Sequence, residues 1–154
     1  MSRLSIVRNL ALTVTITAYC SARADDREIP PGVLQALASD EKAHCDQFLG
    51  EFKKGCRERF REHLKWAHLV ISSSGQTAIL VENDEAGGSH GYELVLFAVK
   101  SNGKYVQVLS EIGYLDSIIV LKSQTRGYLD IQKRWRDGAT RTEYRWNGRR
   151  YSAE

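Results

Sequence analysis

Missing from this sequence are several signatures of the commoner enzyme chemistries: there is no H-E-x-x-H, no Walker loop and no dinucleotide fingerprint. Ser39-Asp40-Glu41-Lys42 fits S-x-x-K, but the S-D-N and K-T-G elements that accompany it are absent. The histidines stand at positions 44, 63, 68 and 90, at no spacing that makes a ligand set. His63 and His68 with Cys45 and Cys56 give H-x4-H and C-x10-C, neither of them a usual zinc arrangement, so no metal and no cofactor are expected. No stretch is long and apolar enough to cross a bilayer as a helix. Repeats, low-complexity tracts and internal linkers are also lacking, which leaves a single domain of ordinary size.

Acids are missing from one place in particular. Residues 1–24 hold Arg3, Arg8 and Arg23 and no Asp or Glu. The formal charge of +3 comes from 22 Lys+Arg against 19 Asp+Glu, so without those three arginines the chain is neutral. That argues against a nucleic-acid or anionic-membrane binder. Arg3 and Arg8 precede an uncharged, mostly apolar run at 10–19 (LALTVTITAY), and Ala22-Arg23-Ala24 puts small residues where a signal peptidase reads them. We expect a secretory signal over 1–24, cleaved after Ala24, with a buried N-terminal strand as the alternative. Bulky Tyr19 before Cys20 does not suit a lipoprotein signal. The expected product is a periplasmic domain over 25–154, not inserted in a membrane. Its two remaining cysteines, Cys45 and Cys56, are expected to pair as a disulfide in an oxidising compartment.

What is present reads as α+β: an N-terminal helix or helices packed on a mainly antiparallel, meander-like sheet. Pro31 suits a first helical position, and Leu34, Leu37, Ala38, Cys45, Phe48 and Leu49 recur at helical spacing up to Gly50. A charged segment with Cys56 follows, allowing a further short helix. After His63 the pattern turns to strands, at 68–71, 77–82, 92–99, 105–109, 117–121, 128–135 and 140–146. Asn102-Gly103 and Asn147-Gly148 mark tight turns, and Ser72-Ser73-Ser74-Gly75 a four-residue loop. In the last long strand Thr140, Thr142, Tyr144 and Trp146 share one face, and Arg141, Glu143 and Arg145 the other. Trp135, Tyr144 and Trp146 are all expected to face the core. Residues 122–150 carry nine bases and three acids, while 63–121 carry three bases and six acids. The basic stretch reads either as a solvated strand face or as a patch for an acidic partner.

Residues 82–91 stand out as a loop of small, polar and flexible residues. One reading is a plain surface connection. The other is a recognition loop, formed by Gly87, Gly88, Ser89, His90 and Gly91, that enters a concave partner with Ser89 and His90 at its tip and Ser73 and Ser74 on the rim. Ser89-His90 makes a poor catalytic pair, having no orienting third group. A hydrolase site of Asp130, His90 and arginines is the least favoured possibility.

Gly127-Tyr128-Leu129-Asp130-Ile131, Trp135, Gly138 and Tyr144-Arg145-Trp146-Asn147-Gly148-Arg149-Arg150-Tyr151 resemble small exported proteobacterial proteins whose sheet is related to FG-GAP/VCBS repeats. Residues 87–97 with Gly103-Lys104-Tyr105, and Ile29-Pro30-Pro31-Gly32-Val33-Leu34 before a cysteine-containing helix, fit the same layout. The resemblance implies fold more than activity. Ser72-Ser73-Ser74-Gly75-Gln76 stands where the calcium-binding acids of true FG-GAP repeats occur, so calcium is not expected. Some exported proteins of this size are immunity proteins against peptidoglycan-cleaving effectors of type VI secretion. Together with export, one disulfide and no catalytic set, this leads to an expected non-enzymatic inhibitor that occludes the active site of a peptidoglycan hydrolase, an amidase effector. The alternative is an envelope module that binds a ligand or glycan.

Overall fold

The computed structural model describes residues 20–21, 25, 28–47 and 55–154, with the side chains at 20–21, 43–44, 46–47 and 85–88 outside that description. Most of the expected signal segment and the helix end at 48–50 therefore lie outside the described residues. The described chain is mainly β with a few short helices.

The N-terminal helix is divided. Pro31–Ala36 forms α1, beginning on a proline whose missing N–H would be unpaired at that position anyway. Ala38–Gln47 forms α2 and Cys56–Glu62 forms α3. The continuous helix that the spacing predicts is interrupted at Leu37, whose ψ of −2° breaks the regular turn. Leu37 is buried there with Val33 against Trp66, Ile79, Val81, Val95 and Phe97, so packing outweighs helical continuity. Cys45 and Cys56 are bonded, joining α2 to α3 with their Cα atoms 5.8 Å apart. Closing this short loop restricts the unfolded chain by about 3 kcal/mol on an entropic account. Beside it, the buried Glu41 carboxylate meets Arg57 and Arg61 of α3 at 3.5 and 3.4 Å.

Instead of one sheet there are two. Leu64–Val70 (β2), Thr77–Gly88 (β3), Gly91–Val99 (β4) and Tyr105–Gly113 (β5) form an antiparallel meander in the order β2-β3-β4-β5. Ile118–Thr125 (β6), Tyr128–Arg134 (β7), Arg141–Trp146 (β8) and Tyr151–Ala153 (β9) form a second, with Cys20–Ser21 (β1) paired to the outside of β6. The first sheet is buried on both faces. Ala67, Leu69, Leu80, Leu94 and Leu96 meet Ile118, Ile131, Tyr144, Trp146 and Tyr151 of the second sheet. Ile79, Val81, Val95 and Phe97 pack under α1. This is why β3 and β4 read as continuous apolar runs, whereas β8 alternates. In β8 Tyr144 and Trp146 are buried and Arg141, Glu143 and Arg145 exposed, as their spacing predicts.

The sheets are tied along one side by main chain: Leu129 N–H donates to Ile71 O at 2.8 Å, and Ser72 bridges Tyr128. Between them runs a polar tie. Lys133 of β7 is only 1% exposed, and its Nζ donates to Glu111 Oε2 of β5 at 2.9 Å and to Ile112 O at 3.0 Å. The Tyr144 hydroxyl also donates to Glu111; burial, then the negative charge of that carboxylate, raises its pKa.

Removing one member of such a pair strands the other. Lys133→Ala is expected to destabilise the protein by roughly 1–3 kcal/mol, because the Glu111 left behind is partly exposed. Lys133→Met combined with Glu111→Leu, which removes both charges and keeps volume, is expected to stay within about 1 kcal/mol of the parent. Urea unfolding of the three proteins checks both figures.

Candidate binding surface

The segment expected as a loop at 82–91 is largely strand. β3 continues to Gly88 and β4 begins at Gly91, so only Ser89 and His90 form the turn. Pairing is regular to Asn83 opposite Glu93, shifts register, and resumes at Gly88 opposite Gly91. An irregular hairpin arm results, with Ser89 and His90 exposed at its end. Gly91 has φ +131°, and a Cβ there would lie 2.9 Å from the Gly113 Cα of β5. A glycine is required because two backbones meet at that point.

Beside this tip is a hollow of about 180 Å³ lined by Ser89, His90, Ile112, Tyr114, Trp135 and Arg136 among others. Ile112 is 43% exposed and Trp135 37%. Trp135 is thus a correction to the expected core position. It follows β7 at the turn into β8, its Nε1 donates to Thr142 Oγ1 at 3.1 Å, and Lys133 Nζ lies 3.9 Å from its ring centroid. Arg136 stands over Tyr114 at 4.5 Å, Tyr114 meets Tyr92 edge to face at 5.3 Å, and Lys65 Nζ is 5.7 Å from the Tyr92 ring. A run of cations and aromatic rings therefore crosses both sheets next to the arm, each ring partly fixed by a neighbour.

The ionised groups around it are mutually satisfied. Lys65 meets Glu82 at 3.3 Å and Asp84 at 3.1 Å, and His63 Nδ1 meets Asp84 at 2.6 Å. Buried Glu82 also accepts the Leu115 N–H at 2.8 Å, seating the short 3-10 turn Leu115–Ser117. The bond to Asp84 raises the Lys65 pKa, against desolvation and with help from Glu82. Burial pushes Asp84 up, but the bonds from Lys65 and His63 outweigh it and hold the carboxyl below its ordinary value. Asp137 accepts from the Ala139 and Thr140 amides and from the Thr140 hydroxyl, which closes the turn after Trp135.

The other candidate residues lie elsewhere. Gly87 and Gly88 belong to β3 and Gly91 to β4, with the two-residue tip between them. Ser73 and Ser74 stand on the loop that precedes β3, at its opposite end from Ser89 and His90, on the order of 30 Å of strand away. They do not line the hollow beside the tip. Ser72 there bonds Ser74 Oγ and the Gln76 N–H, both at 2.9 Å, making a self-contained turn. Asp130 is buried within β7 and does not line the hollow that holds His90. Ser89 Oγ lies 3.1 Å from His90 Nδ1, with no orienting carboxylate at the ring among the described residues. Ser39 and Lys42 lie in α2. No three His, Cys, Asp or Glu among the described residues gather as metal ligands, and no helix among them is long and apolar enough to cross a membrane. The bases of 122–150 are spread: Arg136 joins the aromatic run, Arg145 pairs with Glu154 at 2.9 Å, and Arg149 and Arg150 border a separate groove.

Comparison of the chain with family models, curated proteins and solved structures found no match.

The Lys65–Asp84 pair gives a pH dependence with a definite sign. Asp84 has a depressed pKa in the folded state, so its contribution is present above the ordinary aspartate range and lost as pH falls through the lowered value. Lys65 has a raised pKa, so its contribution is complete below the ordinary lysine range and lost as pH rises through the higher value. Because Lys65 is half exposed, Asp84→Asn is expected to cost only about 0.5 kcal/mol at neutral pH. Thermal melts from pH 2 to pH 7 check this: the difference between parent and variant shrinks toward acid.

Proposed function

We propose that this protein is an exported, non-catalytic inhibitor that binds a peptidoglycan hydrolase, an amidase effector, and covers its active-site cleft, in the manner of an immunity protein. The observation that carries the reading is the surface around Trp135: a projecting two-residue tip beside exposed Ile112 and Trp135, with Tyr114 and Arg136 adjoining. Trp, Tyr and Arg are the side chains that most often anchor protein interfaces. A narrow hairpin arm suits insertion into a concave partner, and the hollow beside it has room for one of the partner's side chains.

Export is supported by the residue pattern of 1–24 and is compatible with the Cys45–Cys56 bond. Cleavage after Ala24 would remove β1 and leave Asp25, whose N–H donates to Trp66 O at 2.6 Å, as the first residue. Mass spectrometry of the protein recovered from the periplasm is expected to show a chain starting at Asp25. An intact Met1 terminus in the cytoplasm would contradict it.

Mixed with the peptidoglycan hydrolase encoded beside it, the protein is expected to form a 1:1 complex and to stop cell-wall cleavage. Trp135→Ala is expected to weaken that complex by about 2 kcal/mol, roughly 30-fold. Ser73→Ala with Ser74→Ala, at the other end of β3, is expected to leave it unchanged. Isothermal titration measures both. Full hydrolase activity at stoichiometric protein would sink the proposal. Exposed Trp135, whose ring could stack on a sugar, favours the alternative glycan-binding module; binding of isolated peptidoglycan without any protein partner would select it.

A further inference from the structure

On the side away from the Ser72–Tyr128 bridge, each sheet ends in a strand with one unpaired edge. β5 is the last strand of its sheet and β9 the last of the other, and the two are not paired. Between them lies a groove of about 710 Å³ bordered by Gln107, Ser110, Arg150 and Ser152. It continues along β5 into a hollow of about 580 Å³ beside Lys100 and Arg149, the two sharing Gln107, Val108 and Arg149.

An edge strand offers a row of N–H and C=O groups to any other chain, and soluble proteins usually blunt such edges with lysine, proline or a covering element. β5, Tyr-Val-Gln-Val-Leu-Ser-Glu-Ile-Gly, spans nine residues with no Lys, Arg or Pro. Its one charge, Glu111, is already engaged by Lys133 at 2.9 Å. The edge is therefore long and, apart from a bulge at Val108 opposite the Leu96–Phe97 step, carries none of these guards. Its border is mainly basic: Lys100, Arg149 and Arg150 are exposed, with no carboxylate partner among the described residues, and the one acid lining the groove, Glu111, is bonded to Lys133. The Arg149 and Arg150 backbones are held by Asn147 Oδ1, which accepts both N–H groups at 3.0 Å. Two guanidinium-bearing residues are thus fixed where a strand lying on β5 would pass.

We propose that this groove binds an extended, acidic segment of a partner protein, added as a strand to the free edge of β5, with its carboxylates facing Lys100, Arg149 and Arg150. Backbone bonds to β5 supply affinity and the basic border supplies preference for acidic sequence. A second copy of this chain is a poor occupant. It would offer β5 itself, whose one acid, Glu111, is already bonded to Lys133, and so no free carboxylate for the three cations. The groove is separate from the surface at Trp135 and does not depend on the hydrolase reading.

The test is a titration of the purified full-length protein with a short capped peptide alternating glutamate and valine, followed by amide NMR and hydrogen exchange. Shifts and protection are expected at residues 106–110 and 151–153. Arg149→Glu with Arg150→Glu, both exposed and neutral to the fold, is expected to weaken binding roughly tenfold or more. Trp135→Ala is expected to leave it unchanged, which separates this groove from the proposed inhibitory surface. The proposal is overturned if the lysine–valine counterpart binds equally, if protection falls on the hairpin instead, if nothing binds, or if β5 becomes protected only through concentration-dependent dimerisation.

Discussion

The arrangement hinges on one buried cation. Lys133 enters the space between the sheets from β7, where an apolar residue would be the ordinary choice, and reaches Glu111 and the Ile112 carbonyl of β5. Tyr144 joins the same carboxylate from β8. Apolar contacts are tolerant of sliding, but a lysine whose donors must be satisfied admits few placements of the two strands. The tie thereby sets where the end of β5 stands relative to the end of β7. Those ends carry Ile112 and Trp135, the exposed apolar groups beside the hairpin tip. Lys133 also lies against the Trp135 ring, so the group that registers the sheets holds the surface residue in place as well.

From this constraint follows the asymmetry of the two sides. Along one, main-chain bonding between Ile71 and Leu129 brings the sheets together directly. Along the other, β5 and β9 approach without pairing and a groove is left. The candidate surface and the groove both border β5, one from Ile112 onward and the other up to Glu111. That strand therefore borders both surfaces while its inner side chains remain in the core.

Much of the β architecture was legible in the residues. The start of strand structure after His63, the turns at Asn102-Gly103 and Asn147-Gly148, and the two faces of β8 all follow from local rules of period two and positive-φ turn residues. What escaped was non-local. The turn at Arg126-Gly127, with φ of 54° and 84°, joins β6 to β7, yet arginine is an unusual residue in that conformation and gives no local signal. Its Nη1 is bonded to Asn147 O from a different turn. Residues 85–88 look like loop because glycine and acid abound, whereas pairing with β4 extends the strand. Trp135 looks like core by composition, but Asp137 and Thr140 close a turn directly after it and leave the ring at the surface. The division of one sheet into two had no mark in the sequence, since a strand alternates in the same way whichever neighbour it pairs with.

The state of the charged groups bears on what kind of surface this is. Sites that do acid–base chemistry keep a titratable group poised in a cleft with its pKa displaced toward working pH. Here the displaced groups are otherwise placed. Tyr144 and Tyr151 are raised by burial in the core, and Glu93 by burial and by Asp40 of α2. Near the hairpin, Asp84 and Lys65 stabilise each other's ionised forms, Glu82 is committed to Leu115, and Asp137 to its own turn. Rings and cations there are paired with one another before any ligand arrives. Such a surface resists rearrangement, and covering it would cost little further side-chain freedom.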